Sequence, residues 1–199
     1  RTGEAIRAYD EHGMVHLAST REAAREALIQ RWDGARQVDQ AASRIILTHT
    51  NAEVRELNLM ARERMRLAGK LGSDATVETA RGERQFASGD RIMFLRNERG
   101  LGIKNGTLGT VDAAHPGRLA VRADDGRKVA FDTKDYAHID HGYAATIHKA
   151  QGVTVDRSHV LATPGMDSHA SYVAFSRHRV GMNLHYGKDD FADQSKLVR

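Results

Sequence analysis

Between residues 76 and 140 the sequence changes texture, and that change constrains the fold more than any other feature. On either side, apolar runs alternate with segments of helical spacing; inside, short β-type pieces are separated by glycine. The pieces are residues 75–79, 91–95, 107–111, 119–123 and 128–131. The breaks fall at Ser88-Gly89-Asp90, Gly100-Leu101-Gly102 and Asn105-Gly106. Asp124-Asp125-Gly126-Arg127 divides two alternating runs (Leu119 and Val121, then Val129 and Phe131), and an Asp-Gly pair accepts the positive φ of a type I′ hairpin turn. Five short strands in this span predict a small β-barrel.

The flanks predict α/β structure. Residues 2–12 suit a short helix and 14–17 a strand. Ser19-Thr20-Arg21-Glu22 reads as a capping box with Ser19 as N-cap and Glu22 at N3. Ala23, Ala24, Ala27, Leu28 and Arg31 follow at helical spacing. Residues 44–48 are a short apolar run of the kind a buried parallel strand needs. Thr50 and Glu53 form a second capping box, and Val54, Leu57, Ala61, Met65 and Ala68 share one face of the helix behind it. Gly69 ends that helix. Strand, polar loop and capped helix make half of a βαβ unit.

Beyond the insert, residues 143–150 are predicted helical, with Gly152 as the stop, and 158–162 form a buried strand. Asp167 or Ser168 caps a helix through Ala170, Val173, Ala174 and Arg177, and residues 182–186 are a final strand. The expected organisation is an α/β domain of residues 1–75 and 141–187, interrupted by a barrel over 76–140, with a polar tail at 188–199. Such an interruption costs little when the ends of the insert lie close together.

Composition narrows the function. The 199 residues, 40% hydrophobic, can bury a real core. No apolar run approaches the roughly 18 residues that span a bilayer, and no charged-then-apolar leader marks export. With Cys 0 there is no disulfide framework, thiolate metal site or cysteine nucleophile, which fits a reducing cytoplasm. The start at Arg1-Thr2-Gly3 lacks an initiator Met, so the chain is expected to be a piece of a longer protein. A net charge of +4 favours polyanion partners without demanding them, and 11 histidines strengthen the positive field in mild acid. Aromatics at 6% argue against a broad base-stacking platform.

The chain has no phosphate loop. Gly69-Lys70 is followed by Leu71, the position five before Gly69 is Arg64, and no acidic pair follows an apolar strand in the Walker B fashion that holds Mg²⁺. His138, His141 and His148 lack the H-E-x-x-H pattern, so no metal site is expected. Two segments stand out. Residues 142–152 place Thr146, His148, Lys149 and Gln151 ahead of Gly152, a set suited to phosphate oxygens or to the polar outer face of an amphipathic helix. Residues 171–179 put Arg177 on the same helical face as Val173 and Ala174, either paired at a domain edge or presented to an anion in a cleft.

Taken in this order, the segments resemble the second half of a superfamily 1 DNA helicase. The likeness is to the RecD-like branch, in particular the helicase part of TraA/TraI-type conjugative relaxases. It is carried by Leu47-Thr48-His49-Thr50-Asn51 with the helix to Leu57-Asn58 and by Ser88-Gly89-Asp90-Arg91-Ile92-Met93 through Asn105-Gly106-Thr107-Leu108-Gly109-Thr110-Val111. Ala145 to Gly152 and Tyr172 to Arg177 complete it, in the manner of helicase motifs V and VI. The resemblance implies a RecA-like parallel-sheet domain (2A) with an inserted SH3-like small β-barrel (2B). It implies Arg177 as an arginine finger and Gln151 and Gly152 near the nucleotide. Thr146, His148 and Lys149 then lie near the DNA backbone, with Thr48 and Asn51 as further phosphate contacts. Related helicases often carry Glu two residues after the motif V glycine; Thr154 stands there, so no ribose contact is assigned.

The expected function is therefore the C-terminal motor half of an ATP-dependent DNA helicase, 5′→3′, of a bacterial cytoplasmic conjugative-transfer relaxase. ATP and Mg²⁺ would be held only in the full-length parent. The partners would be single-stranded DNA and the parent's N-terminal RecA-like domain, with no membrane. By itself the chain would have no ATPase activity. The competing class is a non-catalytic nucleic-acid or protein binding module with a degenerate helicase fold.

Overall fold

The structure, a computed structural model, describes residues 14–166 and 178–191. The helices expected over 2–12 and through Arg177, and the end of the polar tail, lie outside the described residues. The chain divides into two compact units, one of residues up to Ala61 and from Ala144 onward, the other Arg62–Tyr143. In chain order the elements begin with β1 (Val15–Ala18), α1 (Arg21–Val38), β2 (Arg44–Thr48) and α2 (Asn51–Leu67), whose last turns count with the second unit. Next come β3 (Ala75–Thr79), β4 (Gly82–Phe86), β5 (Arg91–Phe94), β6 (Leu108–His115), β7 (Arg118–Ala123), β8 (Lys128–Asp132) and β9 (Ile139–His141). β10 (Ala144–Thr146), β11 (Val155–Leu161) and β12 (His178–Gly187) complete the chain. Among the described residues no helix is long and apolar enough to cross a membrane.

The first unit is a parallel five-stranded sheet in the order β1-β12-β11-β2-β10. Ile45, Ile46 and Leu47 of β2 are fully buried, as a strand covered on both faces requires. On α1 the buried residues are Ala24, Leu28, Ile29, Trp32 and Arg36. Its N-cap is Thr20, whose hydroxyl accepts from the Ala23 N–H at 3.0 Å. The cap thus falls one residue after the expected Ser19, which puts Glu22 at the second helical position and leaves no capping box. Gly187 backs onto this turn so closely that a Cβ there would lie 2.3 Å from the Arg21 nitrogen. On α2, Val54, Leu57, Asn58 and Ala61 are buried and Ala68 is exposed. The helix ends as expected at Gly69, with φ 70°. The Gly69 and Lys70 N–H groups return to the carbonyls of Arg66 and Met65, a Schellman closure.

Residues 143–150 are not helical. Ala144–Thr146 pair in parallel with Ile46, Leu47 and Thr48, and turns follow from Ile147 to Gly152. An alanine-rich run satisfies either conformation locally; its tertiary partners select the strand. Here those partners are β2 on one side and the Asn58 side chain on the other, which accepts from the Ala144 N–H at 2.8 Å and donates to its carbonyl at 3.3 Å.

The second unit has seven strands rather than five. β3 and β4 form an antiparallel ribbon, and the rest form an antiparallel sheet in the order β8-β7-β6-β5-β9. Val77 and Phe86 of the ribbon join Ile92, Phe94, Leu119 and Phe131 of the sheet in one core. β4 and β9 escaped the sequence reading because they are polar. Only Phe86 of β4 is buried, while β9 is Ile-Asp-His, its Asp140 satisfied by Arg81 and Arg84 at 3.1 and 3.2 Å. The turn after β7 also differs from expectation. Gly126 has φ 93° but no non-glycine residue among those described has positive φ, which rules out type I′. The Gly126 N–H donates to the Ala123 carbonyl and the Ala123 N–H to that of Arg127. This is a three-residue loop closed by a left-handed glycine.

Candidate functional site at the carboxyl ends of the sheet

In open parallel α/β sheets, ligands collect where the strands end and the following loops begin. Three such ends are tied together by Thr48, the last residue of β2. Its hydroxyl donates to the carbonyl of Leu161, which ends β11, at 3.1 Å. Its own carbonyl accepts from the Ile147 N–H, just after β10, at 3.0 Å. Thr48 has no exposed surface, so its hydroxyl works inside the fold and does not face the rim.

Chain leaving β2 passes through exposed His49 and Thr50 into α2, with exposed Asn51 in its first turn. Thr50 caps the helix, accepting from the Glu53 N–H at 3.3 Å. The capping box is only half formed, because the Glu53 carboxylate is drawn sideways onto α1. Arg25 grips it with Nε and Nη2, each at 3.0 Å, and Arg21 approaches at 3.5 Å. Arg21 forks onto Asp190 at 2.6 and 2.7 Å. That hydrogen bonding, against a smaller opposing effect of burial, holds the Arg21 guanidinium above its ordinary pKa.

Chain leaving β10 curls around Thr146. The Lys149 N–H donates to the Thr146 hydroxyl at 3.1 Å and the Ala150 N–H to its carbonyl at 3.0 Å. This turn leaves His148, Gln151 and Gly152 exposed and Thr146 and Lys149 half-buried. Gly152 has φ 87°, a left-handed conformation that a Cβ disfavours. On the far side, Gly165 in the loop after β11 lies against the His49 ring, where a Cβ would come within 3.1 Å.

Thr146, His148, Lys149, Gln151 and Gly152 thus share one turn, and Asn51 leads from the adjacent strand end; Arg177 lies outside the described residues. Asn58 was not singled out from the sequence, although an amide inside the apolar stripe of Val54, Leu57 and Ala61 is the signal that marks it. The three histidines weighed for a metal are otherwise engaged or placed: His141 meets the Gln85 carbonyl at 2.7 Å, His138 lies against Arg96, and His148 is on the rim turn. A separate histidine group lies in the first unit. His159 and His185 are buried, with ring nitrogens that lack hydrogen-bond partners among the described residues, and His16 stacks on His185 at 4.7 Å. Burial pushes His159 down to about 3 and His185 to about 2.

No family model matches the chain. It is 41% identical over 199 residues to the conjugal transfer protein TraA of Agrobacterium fabrum, a match covering 98% of this chain and 18% of that protein. The ATP-dependent DNA helicase Pif1 of Bdellovibrio bacteriovorus is 31% identical over 135 residues, covering 57% of this chain and 31% of that protein. The fold matches a crystal structure of Pif1 helicase from Bacteroides in complex with ADP-AlF3 and ssDNA. The TM-score is 0.59 at 23% identity, covering 78% of this chain and 42% of that one. The chain spans less than a fifth of its TraA relative. Over this span the chain is homologous to a segment of the TraA conjugal transfer proteins, and its fold is that of part of a Pif1 helicase.

Proposed function

We propose that this chain is the second motor half of an ATP-dependent DNA helicase within a conjugal transfer protein, with its rim turning one side to single-stranded DNA and the other to a nucleotide. The observation that carries this reading is the polar rim built on Thr48: the start of α2 and the turn from Ile147 to Gly152, side by side at the carboxyl ends of β2 and β10. Asn51, Thr146, His148 and Lys149 supply a donor-rich surface for backbone phosphates. Thr48 takes a supporting part, because its hydroxyl already belongs to Leu161. Gln151 and Gly152, further along the same turn, face the nucleotide.

Nucleotide chemistry needs a second domain. The chain carries no glycine-rich phosphate loop, so the phosphate cradle and Mg²⁺ site come from an N-terminal RecA-like domain of the parent. Arg177 supplies the fixed positive charge that stabilises the transferring phosphoryl group. The test is single-strand-stimulated ATP hydrolysis, comparing this chain with the same chain extended upstream by one domain. Only the extended protein should turn over, and Arg177→Ala should slow it by about 10³-fold or more while DNA binding persists. Undiminished turnover in that variant overturns the assignment.

A further inference from the structure

β10 is the shortest strand of the parallel sheet among the described residues. It has three residues, lies at the edge and, among the described residues, pairs only with β2. Its outer side is held by a side chain. Asn58 spends its amide oxygen on the Ala144 N–H at 2.8 Å and its amide nitrogen on the Ala144 carbonyl at 3.3 Å. It does so from a site only 2% exposed. One amide thereby supplies the bonds that a sixth strand would have made at that residue.

Asn58 follows Asn51 by seven residues, close to two helical turns, so the two share a face of α2 about 10 Å apart along the axis. One sits exposed on the rim and the other grips β10 from within. Two residues past Ala144, Thr146 organises the turn with its hydroxyl and carbonyl. A short rigid path therefore runs from Asn51 along α2, through Asn58 to Ala144, and on to the turn that carries Gln151 and Gly152. Thr48 fixes the other side of β10 through its pairing with Thr146, so displacement of α2 can reach the turn through the Asn58 amide.

We propose that Asn58 is a positioning residue that couples the strand-contacting end of α2 to the nucleotide-facing turn after β10. The inference rests on the functional reading above and names the connection inside that site. A residue in this role sets how strongly DNA stimulates hydrolysis. It does not set how tightly DNA binds, since its side chain is buried and spent on Ala144.

The experiment measures DNA-stimulated ATP hydrolysis by the full-length parent, titrated with single-stranded DNA, for wild type, Asn58→Ala and Asn58→Asp. The aspartate keeps an acceptor for the Ala144 N–H but loses the donor to its carbonyl. The expected result is a maximal stimulation reduced about tenfold in Asn58→Ala and by less in Asn58→Asp, with the half-saturating DNA concentration within about twofold of wild type. If Asn58→Ala does not fold, the Asn58→Asp titration decides by the same criterion. A raised half-saturating concentration with full maximal stimulation would assign Asn58 to binding and overturn the proposal. Unchanged values for both in a folded variant would make the amide purely structural, and also overturn it. Lys149→Ala separates the two failures: if the parent shows no DNA stimulation and Lys149→Ala has no effect on DNA binding, the functional reading itself falls.

Discussion

Tyr143 donates its hydroxyl to Asp90 at 2.6 Å, and Arg62 reaches the same carboxylate through Nε at 3.0 Å. These are the last and first residues of the inserted unit, so one buried carboxylate holds its two ends together. Asp90 also accepts from the Ala87 N–H at 2.8 Å, which fixes the loop that carries it. Burial and the adjacent negative charge push the Tyr143 phenol well above its ordinary pKa, so it stays a donor throughout the working range.

Removing Asp90 takes from Arg62 its buried partner, leaving the more exposed Asp74, and from the Tyr143 hydroxyl its acceptor at 2.6 Å. Asp90→Ala should therefore cost about 3–5 kcal/mol, whereas Tyr143→Phe, which deletes one hydrogen bond, should cost about 1–2 kcal/mol. Urea titrations of the chain measure both. Equal losses in the two variants would show that the carboxylate is not the common anchor.

Stability should fall as the solution is made mildly acidic. His159 and His185 titrate near 3 and 2 in the folded chain because they are buried, but near 6.5 when unfolded. Above about pH 6.5 both states are neutral and the contribution is complete. Below it the unfolded chain takes up protons that the folded chain refuses. Each histidine then lowers stability progressively as the pH falls towards its folded value. Lowered His16 and His141 act in the same direction. Asp74, held low by Arg62 and Arg66 against its own desolvation, titrates only below the ordinary carboxylate range. Melting temperatures from pH 8 to pH 5 provide the check, with His185→Phe expected to flatten the slope. A pH-independent midpoint over that interval would contradict the burial.

Much of this architecture is legible in the residues, because it is written in apolar spacing. Ile45, Ile46 and Leu47 mark a covered strand, Val54, Leu57 and Ala61 mark the inner face of α2, and Gly69 marks its end. What is not legible depends on partners far away in sequence. Ala144 and Ala145 are as much helix as strand until Asn58 and β2 grip them. β9 reads as polar until Arg81 and Arg84 neutralise Asp140. The rim is legible in composition, since Thr146, His148, Lys149 and Gln151 are conspicuous together. Its geometry is not, because nothing local shows that Thr48 faces inward to Leu161 or that Glu53 is drawn onto Arg25.

The Glu53–Arg25 pair predicts an asymmetry between breaking and replacing it. The Glu53 side chain is 10% exposed and that of Arg25 18%. Arg25→Met leaves a buried carboxylate facing only the longer contact to Arg21 and should cost about 3–5 kcal/mol. Replacing both partners with apolar residues, as in Arg25→Met with Glu53→Leu, should recover most of that loss. A double-mutant cycle in urea measures the coupling. Additive losses would mean that the two residues act independently despite their geometry.

Lys149 offers the most direct test of the rim. Its backbone is locked by the Thr146 hydroxyl, so truncating the side chain should leave the turn in place and remove one cation from the surface. Single-strand affinity depends on counterions released per phosphate neutralised. For Lys149→Ala the slope of log affinity against log salt should therefore become shallower by about 0.7, with weakening that does not depend on base sequence. A salt slope identical to wild type would remove Lys149 from the DNA path, and a loss confined to particular sequences would reassign it from phosphate to base.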